Sequence, residues 1–93
     1  SIDDIDDTVA VTGVTVAPTT ASIAVAATRQ LTASVAPTDA TNQAVTWLSS
    51  DATVATVNSS GLVTGVKAGT ATITATTTDG SFTATSSITV TAA

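Results

Sequence analysis

From Val9 onward, apolar side chains alternate with Thr or Ser along most of the chain, which is the two-residue period of strands with one buried face. VTGVTVAP (11–18) predicts an opening strand that stops at Pro18, with a kink at Gly13 where the phase of the valines changes. SIAV (22–25) continues it, with Ile23 and Val25 facing inward. RQLTASVAP (29–37) puts Leu31, Ala33 and Val35 on one face and ends at Pro37, and TDATNQ (38–43) then forms a loop. AVTWLSS (44–50) carries Val45 and Trp47 inward. VATVN (54–58) follows a turn at Asp51–Thr53, and LVTGV (62–66) follows NSSG, where Gly61 can take a positive φ. TATITATT (70–77) turns Ala71, Ile73 and Ala75 inward. Asp79-Gly80 predicts a tight hairpin, and SFTATSSITVTA (81–92) places Phe82, Ala84, Ile88 and Val90 on one face.

These segments make about seven to eight short strands with turn signals every ~8–12 residues, the pattern of an antiparallel β-sandwich. No segment holds a 3.6-residue apolar period, so the expected class is all-β. The core expected from phase is Trp47, Val45, Leu31, Val35, Ile73, Phe82, Ile88 and Val90. Composition agrees: the β-branched residues Thr and Val dominate, and they lose rotamer freedom in helices but fit a pleated surface. A chain of 93 residues makes one domain at most, burying roughly 60–65 % of the surface its unfolded form exposes.

Charge narrows the partners. All 7 acidic residues are Asp and the only cations are Arg29 and Lys67, giving a net charge of −5. Two cations cannot neutralise a run of phosphates, so nucleic acid is excluded and an anionic membrane surface is disfavoured. No apolar run approaches the ~20 residues that span a bilayer, so membrane insertion is not expected. Asp3, Asp4, Asp6 and Asp7 crowd into the first ten residues and are candidate calcium ligands, as clustered hard oxygen donors. They lack the glycine turn and distal bidentate acid of an EF-hand loop. Residues 1–10 therefore read as a solvated acidic linker or the end of a preceding domain, and 11–93 as the folded domain. The chain begins without Met and reads as a piece of a longer polypeptide.

Residues for chemistry are scarce. Without His, Cys, Glu or Tyr, general bases and nucleophiles reduce to Asp, Lys67 and hydroxyls, and Lys67 sits in an expected surface turn. Gly61, Gly65 and Gly69 lack the following helix and basic residue of a phosphate loop. Asn58-Ser59-Ser60 matches the N-glycosylation pattern, although an Asn fits a turn without it. Trp47 could stack on a sugar, but mid-strand and in phase with Val45 it reads as the large side chain filling a Val/Ala core. Any binding surface is then expected in loops such as TDATNQ. No catalytic residue and no cofactor are assigned.

APTDAT (36–41), AVTWLSSDATVATVNSSGLVTGVKAGTATITATT (44–77) and a closing ITV (88–90) carry a further signal. They resemble the bacterial immunoglobulin-like domain group 2 family, with its W-x-S-S-D segment, V-A-x-V, a G-x-V turn and A-G-T-A-x-I. Ala26–Ala27 departs from that pattern, since the family usually has a glycine before the second strand. The resemblance implies an Ig-like antiparallel β-sandwich that serves as a non-catalytic stalk, spacer or weak adhesion module, as in intimin- and invasin-like adhesins and in phage tail and capsid proteins. It implies a virion or bacterial cell surface, with neighbouring domains of the parent chain and, weakly, cell-envelope glycans or surface proteins as partners. The rival expectations are an adhesin repeat and a carbohydrate-binding module attached to an enzyme.

Overall fold

A computed structural model describes residues 8–92 of the protein. The described residues form nine strands and no helix: β1 (Gly13–Ala17), β2 (Thr20–Ala24), β3 (Thr28–Gln30), β4 (Thr32–Ala36), β5 (Val45–Ser49), β6 (Ala55–Val57), β7 (Leu62–Gly65), β8 (Gly69–Thr77) and β9 (Thr83–Thr91). One layer is the four-stranded sheet β2-β9-β8-β5. The other is built from the pair β1-β4 and the three-stranded β3-β7-β6. The expected strand 29–37 divides at Leu31 into β3 and β4, which pair with different partners, β7 and β1. Leu31 N–H donates to Gly61 O (2.9 Å), one step beyond the Gln30–Leu62 pair in the same register, so the chain passes through Leu31 from one part of the second layer to the other. All pairings are antiparallel except β2–β9, which runs parallel with Ile23 opposite Val90. The alternation of apolar residues is blind to strand direction, so this exception had no sequence signal.

The layers meet on a core of Val16, Ile23, Leu31, Val54, Ala55, Val63, Ala71, Ile73, Ala75, Ile88 and Val90. A second, smaller cluster at one end gathers Val11, Val35 and Ala40, with Val14 and Val45 packed against it. Val35 and Val45 thus serve that end rather than the main core. The kink expected at Gly13 is a β-bulge. The ladder pairs Gly13 with Ala36, yet Thr12 N–H also reaches Ala36 O (2.8 Å), so two residues oppose one. The extra residue resets the phase and lets Val11 as well as Val16 turn inward. The outer face of the four-stranded sheet carries hydroxyls in register: Thr72, Thr74 and Thr76 lie opposite Ser87, Thr85 and Thr83. Such cross-strand pairs of β-branched residues favour the pleat without adding charge.

Phe82 departs from the expected core. It is 38 % exposed and lies ahead of β9. Thr77 N–H donates to Phe82 O (2.8 Å) and Phe82 N–H to Thr77 Oγ1 (2.9 Å), which closes the hairpin around 78–81 rather than around Asp79-Gly80 alone. The longer turn carries Phe82 past the last buried row, and its ring lies against Gly80. Asp79 instead reaches back to the bulged strand, its Oδ2 accepting Val11 N–H (3.2 Å).

The chain changes layers between β2 and β3, at Val25–Ala27. Val25 N–H donates to Thr91 O (3.0 Å) and Ala26 N–H to Gly65 O (2.9 Å), one bond to each layer. Ala26 makes the turn at φ 72°, in the left-handed region. That conformation costs an L-residue about 1–2 kcal/mol, of which glycine's greater unfolded-state entropy offsets only part. Ala26→Gly is therefore expected to stabilise the domain by about 0.5–1 kcal/mol, raising Tm by about 2–8 °C in a thermal melt. A lower Tm for that variant would contradict the strained-turn account.

Candidate functional site

The segment Trp47–Gly61 builds one corner of the sandwich, and each polar residue in it has a defined task. Ser49 Oγ donates to Ala55 O (2.6 Å), tying β5 to β6 across the layers. Ser50 extends the β5–β8 ladder: its N–H donates to Thr72 O, and its Oγ accepts Thr72 N–H, both at 2.9 Å. Asp51 organises the crossover. Its Oδ1 accepts the hydroxyl (2.5 Å) and N–H (3.0 Å) of Thr53, while its backbone O accepts Val54 and Ala55 N–H (3.1 Å each). The Thr53 hydroxyl bond, followed by the Thr53 N–H and a more distant pull from Lys67, lowers the Asp51 pKa below its ordinary 3.8. Asn58 does the same for the β6–β7 turn, its Oδ1 accepting Ser60 N–H (2.9 Å) and Leu62 N–H (3.0 Å). These are side-chain bonds that replace missing ladder partners in turns.

Trp47 sits between these turns. It is half-buried against the core, and Gly61, at φ 82°, lies directly on it. A Cβ on Gly61 would come within 2.7 Å of Trp47 Cζ2 and 3.0 Å of Leu31 O. Real Cβ atoms do not approach so closely, so glycine is required for contact as well as for φ. The indole separates two openings. One of about 430 Å³ is lined by Gln30, Leu31, Thr32, Ala33, Val45, Trp47, Ser59 and Ser60. The other, about 260 Å³, lies between β5 and β6 and is lined by Trp47, Leu48, Ser49, Ala52, Thr56 and Val57. Leu48 points to the outer face and is 70 % exposed.

Strand β5 is also a free edge. Ser50 N–H bonds Thr72 O and Thr78 N–H bonds Ala44 O, so alternation turns the backbone groups of Val45, Trp47 and Ser49 away from β8. The loop TDATNQ, where a binding surface was expected, is folded on itself. Gln43 Nε2 donates to Thr38 O (2.7 Å) and Ala40 O (3.2 Å), Asn42 Oδ1 accepts Ala44 N–H (3.0 Å), and Ala40 is buried.

The remaining candidates do not converge. Leu31, Ile73, Ile88 and Val90 are in the main core, with Trp47 packed against it. Lys67 is exposed in its turn. Asp3, Asp4, Asp6 and Asp7 lie outside the described residues, and among the described residues no three His, Cys, Asp or Glu side chains come together to hold a metal.

A family model for the bacterial Ig-like domain, group 2, matches residues 10–90. The chain belongs to that family. An Ig-like virion protein of Serratia phage KSP90 is 49 % identical over 83 residues, covering 88 % of this chain and 32 % of that protein. An alpha-L-arabinofuranosidase of Bifidobacterium longum is 67 % identical over 48 residues, covering 52 % of this chain and 4 % of the enzyme. The crystal structure of an EHEC O157:H7 intimin mutant superposes with a TM-score of 0.61 and 28 % identity, over 73 % of this chain and 34 % of that one. The chain thus spans between 4 % and 34 % of these relatives, and it is an Ig-like accessory module of the kind that larger proteins carry. The W-x-S-S-D signature of the group-2 domain corresponds to Trp47–Asp51, whose side chains fasten three strands at one corner.

The Gly61–Trp47 contact is tested by Gly61→Ala, which adds both a left-handed strain and an overlap with the ring. The expected loss is about 2–4 kcal/mol by urea unfolding, and a loss under ~1 kcal/mol would contradict the contact. Asp51 gives a pH test. Its folded-state pKa is lowered, so its contribution is complete above its ordinary pKa and is lost as pH falls through the folded value. The Tm difference between the native chain and Asp51→Ala is expected to be constant above about pH 5 and to shrink towards about pH 2. A difference that does not change over that range would refute the assignment.

Proposed function

We propose that this Ig-like module belongs to a virion protein of a tailed phage, in the tail or capsid, where it is displayed on the particle and adheres weakly to the host cell surface. The observation that carries this reading is the likeness to the Ig-like virion protein, which extends over 88 % of the chain. The physical character of the domain supports it. The exposed sheet is coated with neutral hydroxyls, and its corner is fastened by side-chain bonds rather than disulfides, since the chain has no Cys. Among the described residues no His, Cys, Asp or Glu cluster forms, which fits a module that presents a surface. Weak contacts suffice there, because many copies on one particle act together through effective concentration.

A second reading has its own observation. The stretch that is 67 % identical to an arabinofuranosidase favours an accessory position beside a glycosidase, on the bacterial surface or outside the cell. A spacer repeat of an intimin-like adhesin is the third assignment of the same fold. Immunogold microscopy with an antibody against residues 10–90, on a culture producing the parent protein, separates them. Label on purified virus particles is expected. Label confined to bacterial envelopes, or a glycosidase activity carried by the labelled protein, would overturn the virion assignment.

A further inference from the structure

We propose that the larger opening beside Trp47 is a binding site for a neutral saccharide, the terminal ring or rings of an oligosaccharide. This deepens the weak-adhesion reading above and rests on it. The opening has the two kinds of surface that a sugar ring requires. On one side stands the half-buried indole of Trp47, a flat apolar wall held in place by Gly61 behind it and flanked by Val45. On the other stand the neutral polar side chains of Gln30, Thr32, Ser59 and Ser60. A sugar presents an apolar C–H face and a rim of hydroxyls, which match the ring and the polar side chains respectively.

The polar groups are both fixed and available. The two hydrogens of the Gln30 amide are used internally, Nε2 donating to Leu31 O (2.7 Å) and Ser60 O (2.8 Å). That locks the amide and leaves Oε1 as an oriented acceptor. The hydroxyls of Thr32, Ser59 and Ser60 make no intramolecular hydrogen bond among the described residues, so they are free to donate and accept. Among the described residues no charged side chain lines the opening, which selects against phosphorylated or acidic ligands and for a neutral one. Its volume, about 430 Å³, falls in the range of small-ligand sites, and its open shape points to millimolar rather than micromolar affinity. The free edge of β5 runs along the same opening and makes an extended peptide the competing occupant. The mixed lining favours the sugar, because strand addition recruits backbone groups and leaves the Gln30 and serine side chains unused.

The test uses the 93-residue chain and its single tryptophan. Neutral gluco-, xylo-, galacto- and arabino-oligosaccharides are titrated to millimolar concentration while tryptophan emission and the Gln30 side-chain amide NMR signal are followed. A saturable change in both signals is expected with at least one series. Trp47→Ala removes the side chain that fills the corner, so the blocking variant is Thr32→Arg, on the exposed face of β4. It is expected to keep its Tm within about 2 °C and to weaken binding at least about tenfold. No saturable change with any series would overturn the proposal, as would undiminished binding by Thr32→Arg. Saturation by an alternating Val–Thr peptide but by no sugar would assign the opening to strand addition and equally overturn it. Virion labelling without sugar binding would reject this site and leave the display reading standing, whereas sugar binding without virion labelling would do the reverse.

Discussion

The corner of the sandwich depends on one contact, the indole of Trp47 against the backbone of Gly61. The buried core is made of Val, Ile, Leu and Ala, side chains too small to close the gap between two sheets at an unpaired edge. Among the described residues β5 and β6 each lack a strand neighbour on one side of that edge, and a single large ring fills the space between them. The ring can sit there only because residue 61 has no Cβ and tolerates φ 82°. The Gly61 carbonyl in turn accepts the Leu31 N–H, at the junction where the chain passes from β3 to β4 and so from one part of the second layer to the other. Corner, layer and groove therefore share one structural origin.

Around that contact the polar signature acts as a set of fasteners. Ser49 crosses between layers, Ser50 lengthens the β8 ladder, and Asp51 and Asn58 supply the turns with acceptors that the sheets cannot. Water competes for the exposed groups, so these bonds act chiefly by fixing turn geometry, and the part-buried Ser49 bond is the one most shielded from solvent. The same arrangement leaves Trp47 half-exposed, which converts a packing residue into the wall of a groove.

Much of this architecture was legible in the sequence, and the failures have physical reasons. Phase alone identified the buried faces of β8 and β9 through Ala71, Ile73, Ala75, Ile88 and Val90, because a half-buried strand must alternate. Phase also singled out Phe82, which is in step with β9 but falls outside it, since turn length and not periodicity decides where a strand begins. The bulge at Thr12–Gly13 was visible as a change in valine spacing, whereas the parallel β2–β9 pair left no mark at all. At Ala26–Ala27 the chain departs from the family's usual glycine, and the structure puts Ala26 in the left-handed region there, at φ 72°. The groove beside Trp47 was not legible, because it arises where Gln30 and Thr32 meet Ser59 and Ser60 from the β6–β7 turn, segments distant in sequence and made of individually ordinary residues.

The central claim, that Trp47 and Gly61 act as one unit, is tested most directly by a double-mutant cycle of Trp47→Leu and Gly61→Ala followed by urea unfolding. If the ring is what makes a Cβ at position 61 intolerable, removing the ring relieves most of the Gly61→Ala penalty. The account predicts a coupling energy of about 1–2 kcal/mol between the two substitutions. Additivity within about 0.5 kcal/mol would contradict it.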